Sequence, residues 1–181
     1  MKTKDMILCA MFVALIAVGA FIKVPIPVVP FTLQYLFTML AGLLLGGKKG
    51  SLAVGIYILL GLIGLPIFAQ GGGIGYIFQP SFGYIIGFAA GAFVTGVIAN
   101  QKNKPSFLRL LGANFAGLFI VYLLGMVYYY LISAFYLNNP IGLWSLFLYC
   151  FILAVPGDMI LCILGAFLGE RLIPIIKEGK L

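Results

Sequence analysis

Asp158 is the residue whose position most calls for a chemical explanation. It is the one acid of four placed well inside an apolar stretch; Asp5, Glu170 and Glu178 lie at or near the ends of the chain or of its helical segments. A carboxylate at membrane depth costs several kcal/mol unless it is paired, protonated or turned to a wet cavity, so by default it marks a functional site. The competing reading is a hydrogen-bonded Asp that locks a helix kink beside Pro156. That proline frees a backbone carbonyl, which must find a partner or line a cavity.

A second feature is the uncharged loop from Gln70 to Gln79, with Gly71, Gly72, Gly73 and Gly75. Glycine permits positive φ and close backbone approach. A loop that also carries Tyr76, Ile77 and Phe78 reads as a packed lid over an apolar ligand, although a floppy connector is the alternative. It is not a phosphate loop, because no Gly-Lys-Ser/Thr ending follows and no strand precedes. Gln34, Tyr84 and Asn114 are polar groups within apolar segments, where each serves either helix–helix contact or ligand contact. Gln34 shares the outer half with Asp158 and the glycine loop, whereas Asn114 lies nearer the inner end and reads as packing. The small residues Ala10 and Ala14, one helical turn apart, allow another helix to approach closely, either within this chain or from a partner.

The absences narrow the chemistry. There is no histidine, so there is neither imidazole catalysis nor a His metal site. Cys9, Cys150 and Cys162 all sit in apolar segments and read as small hydrophobes rather than a metal or disulfide framework. No His-Glu-x-x-His, Walker, Ser-x-x-Lys or paired-acid motif occurs, which argues against a membrane enzyme acting on lipid. Neither a selectivity filter nor an internal repeat stands out.

These residues must be held by helices in lipid. The 181 residues are 64% hydrophobic and 8% charged, with mean hydropathy +1.20. Soluble domains are about half apolar and about a quarter charged. Each span needs about 20 apolar residues, so residues 1–181 read as a single integral membrane domain, all-α, with six transmembrane helices. The segments expected are 5–22, 31–45, 51–65, 82–99, 106–137 and 142–176. Prolines hold the connector from Lys23 to Pro30 extended, Gly46–Gly50 separates the second and third segments, and Pro156-Gly157 partly breaks the sixth. The run from Met6 to Ile22 reads as a first span and not as a cleaved leader, since Lys23 and prolines follow it where a small-x-small site would stand.

With both termini inside, ten cations (Lys2, Lys4, Lys48, Lys49, Lys102, Lys104, Arg109, Arg171, Lys177 and Lys180) face the cytoplasm and only Lys23 faces out. That asymmetry follows the positive-inside rule and favours an even span count. The net charge of +7 is thus spent on topology and on contacts with anionic membrane lipid, not on nucleic acid.

Four runs together resemble the BioY family, the biotin-binding S components of energy-coupling-factor (ECF) transporters. They are Pro25-Ile-Pro-Val-Val-Pro-Phe-Thr-Leu-Gln34, Gly61-Leu-Ile-Gly-Leu-Pro-Ile-Phe-Ala-Gln-Gly-Gly-Gly73, Gln79-Pro-Ser-Phe-Gly-Tyr84 and Pro156-Gly-Asp158. Any one run is weak, but the ordered set covers nearly the whole chain. The resemblance implies a six-helix S component in a bacterial plasma membrane that captures biotin from outside. It would have no catalytic activity and no cofactor of its own, and its partners would be a transmembrane coupling subunit and two cytoplasmic ATPases. The resemblance also implies that Ala10 and Ala14 dock the coupling subunit. Asp158 becomes the expected acceptor for the ligand's ureido N–H groups, with Gln34, Gln70 and Gln79 as further polar contacts. Gly71, Gly72 and Gly73 would close the mouth, Phe31, Tyr76 and Tyr84 would cover the rings, and Lys23 would attract the carboxylate. Two positions depart from the family pattern. Phe82 stands where a glycine is usual, and Leu161 stands near the place of a lysine that follows Pro-Gly-Asp in many members. The remaining rivals are an S component for another vitamin and a structural membrane protein that binds no small molecule.

Overall fold

The computed structural model describes residues 3–24, 30–102 and 105–177. Lys2, Lys104, Lys180 and the first prolines of the connector lie outside them. The described chain is a helical bundle. Helix α1 (Thr3–Phe21) leads into a two-stranded hairpin, β1 (Lys23–Val24) and β2 (Phe31–Thr32). Then come α2 (Gln34–Leu45), α3 (Gly47–Ile63), a 3₁₀ turn (Ile74–Phe78), α4 (Phe82–Ala99) and α5 (Phe107–Phe135). A short α6 (Leu143–Phe147), a π turn (Leu148–Ile152) and α7 (Val155–Lys177) complete it.

The proline connector is therefore not merely extended. It is pinned as an antiparallel hairpin, Lys23 opposite Thr32 and Val24 opposite Phe31, and Leu33 N donates to Ile22 O at 3.1 Å. This small sheet is the exception to an all-helical reading, and it delays the start of α2 from the expected residue 31 to Gln34. The second correction concerns Gly46–Gly50. The break is Gly46 alone, at φ 82°, and α3 begins at Gly47, because a single glycine in the left-handed region suffices to turn the chain. The sixth segment is broken as expected. Pro156 sits in the first turn of α7, where the missing N–H costs no hydrogen bond.

Helix α4 is the centre of the bundle and packs on α2, α3 and α5. It does so through glycines one turn apart. A methyl at Gly87 would lie 2.9 Å from Val121 Cα, and one at Gly91 3.0 Å from Gly117 O. Lipid tails are as apolar as leucine, so close backbone contact of this kind is what holds such helices together.

Among the described residues, four helical stretches are long and apolar enough to cross a membrane: Thr3–Phe21, Phe82–Ala99, Phe107–Phe135 and Leu143–Ile176. The twelve residues of α2 extend only about 18 Å. Large apolar side chains face outward along the bundle, Phe135 and Ile63 at 81% exposure among them, a pattern suited to hydrocarbon and not to water. One end of the bundle collects basic groups. Lys4 Nζ donates to Ile176 O (3.0 Å), Asp5 pairs with Lys49 (2.7 Å), and Arg109 Nε donates to Ala99 O (3.3 Å). The start of α1, the α2–α3 corner, the α4–α5 turn and the end of α7 thus share that end. The hairpin and the glycine loop lie at the other.

Candidate functional site

Beneath the glycine loop, a cavity of about 60 Å³ opens between the hairpin, α2, α4, α5 and the α6–α7 junction. Its wall includes Phe31, Gln34, Tyr76, Tyr84 and Asp158, five of the residues expected from sequence, together with Tyr122. Among the described residues Asp158 is the only acidic or basic side chain in the lining.

Asp158 is 8% exposed and sits in the first turn of α7, where the helix dipole favours an anion. Tyr122 of α5 donates its hydroxyl to Asp158 Oδ2 at 2.5 Å and is the one hydrogen-bond donor to this carboxylate among the described residues. The second oxygen accepts no hydrogen bond among the described residues. Gly157 is part of the same design. A methyl there would lie 2.7 Å from the Phe31 ring, so its absence lets the hairpin ring seat against the start of α7. The π turn before α7 offers the Cys150 carbonyl, which accepts from Tyr84 OH at 3.2 Å. Irregular turns of this type recur at functional sites because they leave backbone groups for other partners. Tyr84 and Tyr122 meet edge to face, with ring centroids 5.9 Å apart.

Gln34 lines the cavity with its polar atoms already engaged. It accepts from Thr32 Oγ1 at 3.2 Å and donates from Nε2 to Tyr57 OH at 2.6 Å. Tyr57 in turn donates to Ile67 O at 2.9 Å. Gln34 therefore ties the hairpin, α3 and the loop into one wall.

The glycine loop is packed and not floppy. Phe68 is 1% exposed and lies against the rings of Tyr57 (5.4 Å) and Tyr76 (4.5 Å). Gly71 and Gly73 take φ values of 119° and 100°, which only glycine adopts without strain. Gly72 passes too close to the Leu65 carbonyl to admit a side chain. The amides of Gly71 and Gly73 are used internally, on Phe68 O (3.2 Å) and Gly61 O (2.7 Å). These glycines shape the lid but do not line the cavity; Ala69 and Tyr76 do. The Tyr76 phenol is held neutral, its pKa raised chiefly by burial against the opposing pull of its hydrogen bonds to Ser81 and the Gln70 backbone. Gln70 and Gln79 are exposed and outside the lining. Lys23 is also outside it; its ammonium donates to Ala69 O at 2.9 Å and pins the lid from the solvent side. Tyr128 donates to the Ile77 carbonyl and fastens the lid to α5.

A sequence model of the BioY family matches residues 1–178. The chain belongs to the BioY family. It is 44% identical over 179 residues to a probable biotin transporter BioY of Lysinibacillus sphaericus, covering 99% of this chain and 91% of that protein. It is 47% identical over 124 residues to the biotin transporter BioY of Thermotoga maritima, covering 68% and 72%. A crystal structure of the S-component for biotin from an ECF-type ABC transporter matches with TM-score 0.70 at 32% identity, over 94% of this chain and 91% of that one.

Within this BioY fold, sequence reasoning missed Tyr122. Its signal was available, since a phenol in mid-span must find an acceptor. Asn114 acts as expected in packing: its Nδ2 donates to Cys162 O at 2.8 Å and its backbone carbonyl accepts from Tyr35 OH at 2.7 Å. Ala10 and Ala14 do not line the cavity. They are exposed and line a separate apolar groove of about 660 Å³ between α1 and α3, which reaches Leu65 and Ile67 at the base of the lid.

Proposed function

We propose that the cavity under the lid is the biotin site of this chain, which serves biotin uptake as an S component of an ECF transporter. It is a transport component and not an enzyme. The observation that carries the site assignment is Asp158, held on one oxygen by Tyr122 in an otherwise uncharged, aromatic-walled cavity. Its free oxygen suits a ureido N–H. Phe31, Tyr76 and Tyr84 supply ring surface for the apolar bicycle. Gln34 holds the wall, and its carbonyl retains a lone pair for a second contact. The glycines, with Lys23, Gln70 and Gln79 around them, serve closure. Pockets for ligands of this size hold roughly 300–1,000 Å³, against about 60 Å³ here. Biotin therefore enters by displacing the lid and the Phe31 ring, and the lid closes behind it.

The clustering of cations at one end of the bundle supports six spans with both termini in the cytoplasm of a bacterial plasma membrane. The open groove around Ala10 and Ala14 supports docking of a transmembrane coupling subunit there, with two cytoplasmic ATPases beneath it supplying the energy. No cofactor of its own is proposed for this chain. The test is a thermal-protection panel on the purified protein. Biotin should raise its melting temperature and other vitamins, such as thiamine and riboflavin, should not; protection by another vitamin instead would reassign the site.

A further inference from the structure

Resting on the biotin-site reading above, we infer that the site recognises the uncharged ring end of its ligand and leaves the carboxylate unpaired at the lid, so that carboxyl-amidated ligands belong to its substrate class.

The inference comes from the charge inventory of the cavity. Among the described residues Asp158 is the one acidic or basic side chain in the wall, and no Lys or Arg lines it. The next basic residue along α7 is Arg171, more than three turns and roughly 20 Å away, where its guanidinium covers the Phe167 ring at 4.3 Å. One turn beyond Asp158, the helix carries the buried apolar Leu161. In the sequence, residues 25–29 include no cation. Two carboxyl groups placed side by side in this poorly screened setting could not both ionise without a large cost.

The ligand's anionic end must therefore point away from Asp158, toward the lid side. The groups the wall offers there are the neutral hydroxyls of Tyr76 and Ser81, which approach each other at 3.3 Å. Hydroxyls donate to a carboxylate and serve an amide equally well, because each both donates and accepts. Lys23 stays outside, exposed and committed to the Ala69 carbonyl. Its charge is screened by solvent and favours the acid only weakly.

The experiment is displacement of radiolabelled biotin from the purified chain by biotin, its primary amide and its methyl ester. It is repeated on Lys23→Ala, a substitution at the exposed surface. The amide should compete within fivefold of biotin, and Lys23→Ala should change the affinity for acid and amide by the same factor. An amide more than fivefold weaker than biotin, while biotin itself binds, would overturn the inference alone. So would a Lys23→Ala variant that loses affinity for the acid more than fivefold beyond its loss for the amide. Failure of biotin itself to bind would overturn the functional reading and this inference with it.

Discussion

Replacing Asp158 by Asn separates a binding carboxylate from a structural one. The substitution keeps the shape of the side chain but leaves one carbonyl oxygen in place of two carboxylate oxygens. Tyr122 already takes one oxygen at 2.5 Å. In the variant, the Tyr122 hydroxyl and the ligand N–H compete for the single amide oxygen, and the loser is a buried donor without a partner, at a cost of about 1–3 kcal/mol. The surviving bond falls from charge-assisted to neutral, about 1 kcal/mol more. The expected loss of biotin binding is therefore about 2–4 kcal/mol, or roughly 30- to 700-fold in Kd. Stability should move the other way. Without ligand, the amide still accepts from Tyr122, and the cost of a largely unpaired buried charge is removed. Titration calorimetry of the purified variant gives the Kd, and a melt in detergent without biotin gives the stability. Unchanged affinity with a lowered melting temperature would refute the argument, because that is the signature of an Asp that only locks the kink at Pro156.

Three further predictions address the lid and the outer face. Bulky substitutions at Ala10 and Ala14 should leave biotin affinity within twofold and abolish uptake in cells that carry the transporter; uptake retained in both variants would move the docking face elsewhere. Gly72→Ala forces a methyl against the Leu65 backbone, which cannot retreat as a side chain would; it should destabilise the lid by about 1–3 kcal/mol, seen as faster proteolysis at the loop and weaker biotin binding. Tyr57→Phe leaves the Gln34 amide and the Ile67 carbonyl without their shared hydroxyl, about 1–3 kcal/mol, and should lower the melting temperature with a smaller loss of affinity than Asp158→Asn.

The features legible in the sequence are those that violate the rules of lipid. A carboxylate, a proline connector and a glycine-rich uncharged loop stand out against an apolar background, so Asp158, the hairpin region and the lid could all be located. Charge asymmetry sorted the ends, because basic residues mark loops without any knowledge of packing. Contacts between distant segments were not legible. Tyr122 is one tyrosine among several in α5, and only the fold brings its hydroxyl to Asp158, 36 residues away. The hairpin depends on pairing across the prolines, which composition does not report. In the lid, positive φ and close approach consume the glycines in building the loop, so the surface that reaches the cavity comes from Ala69 and Tyr76. Gln70 and Gln79 turn to solvent because the internal hydrogen bonds of the loop are made by backbone.

The cavity and the outer groove are not independent surfaces, because they share the stretch from Leu65 to Ile67. The Leu65 and Ile67 side chains line the groove beside Ala10 and Ala14. The Ile67 carbonyl points the other way and accepts from Tyr57, which accepts from Gln34 in the cavity wall. Two residues on, the Ala69 carbonyl is held by Lys23 while Ala69 itself lines the cavity. Any displacement of the lid that admits a ligand must move this stretch or strain its anchors, and either changes the surface a helix would meet in the groove. Coupling between two sites needs an element whose position both of them bias. Here that element is a three-residue edge with its side chains in one site and its backbone tied to the other, so a partner seated against Ala10 and Ala14 would touch the base of the lid without touching the ligand.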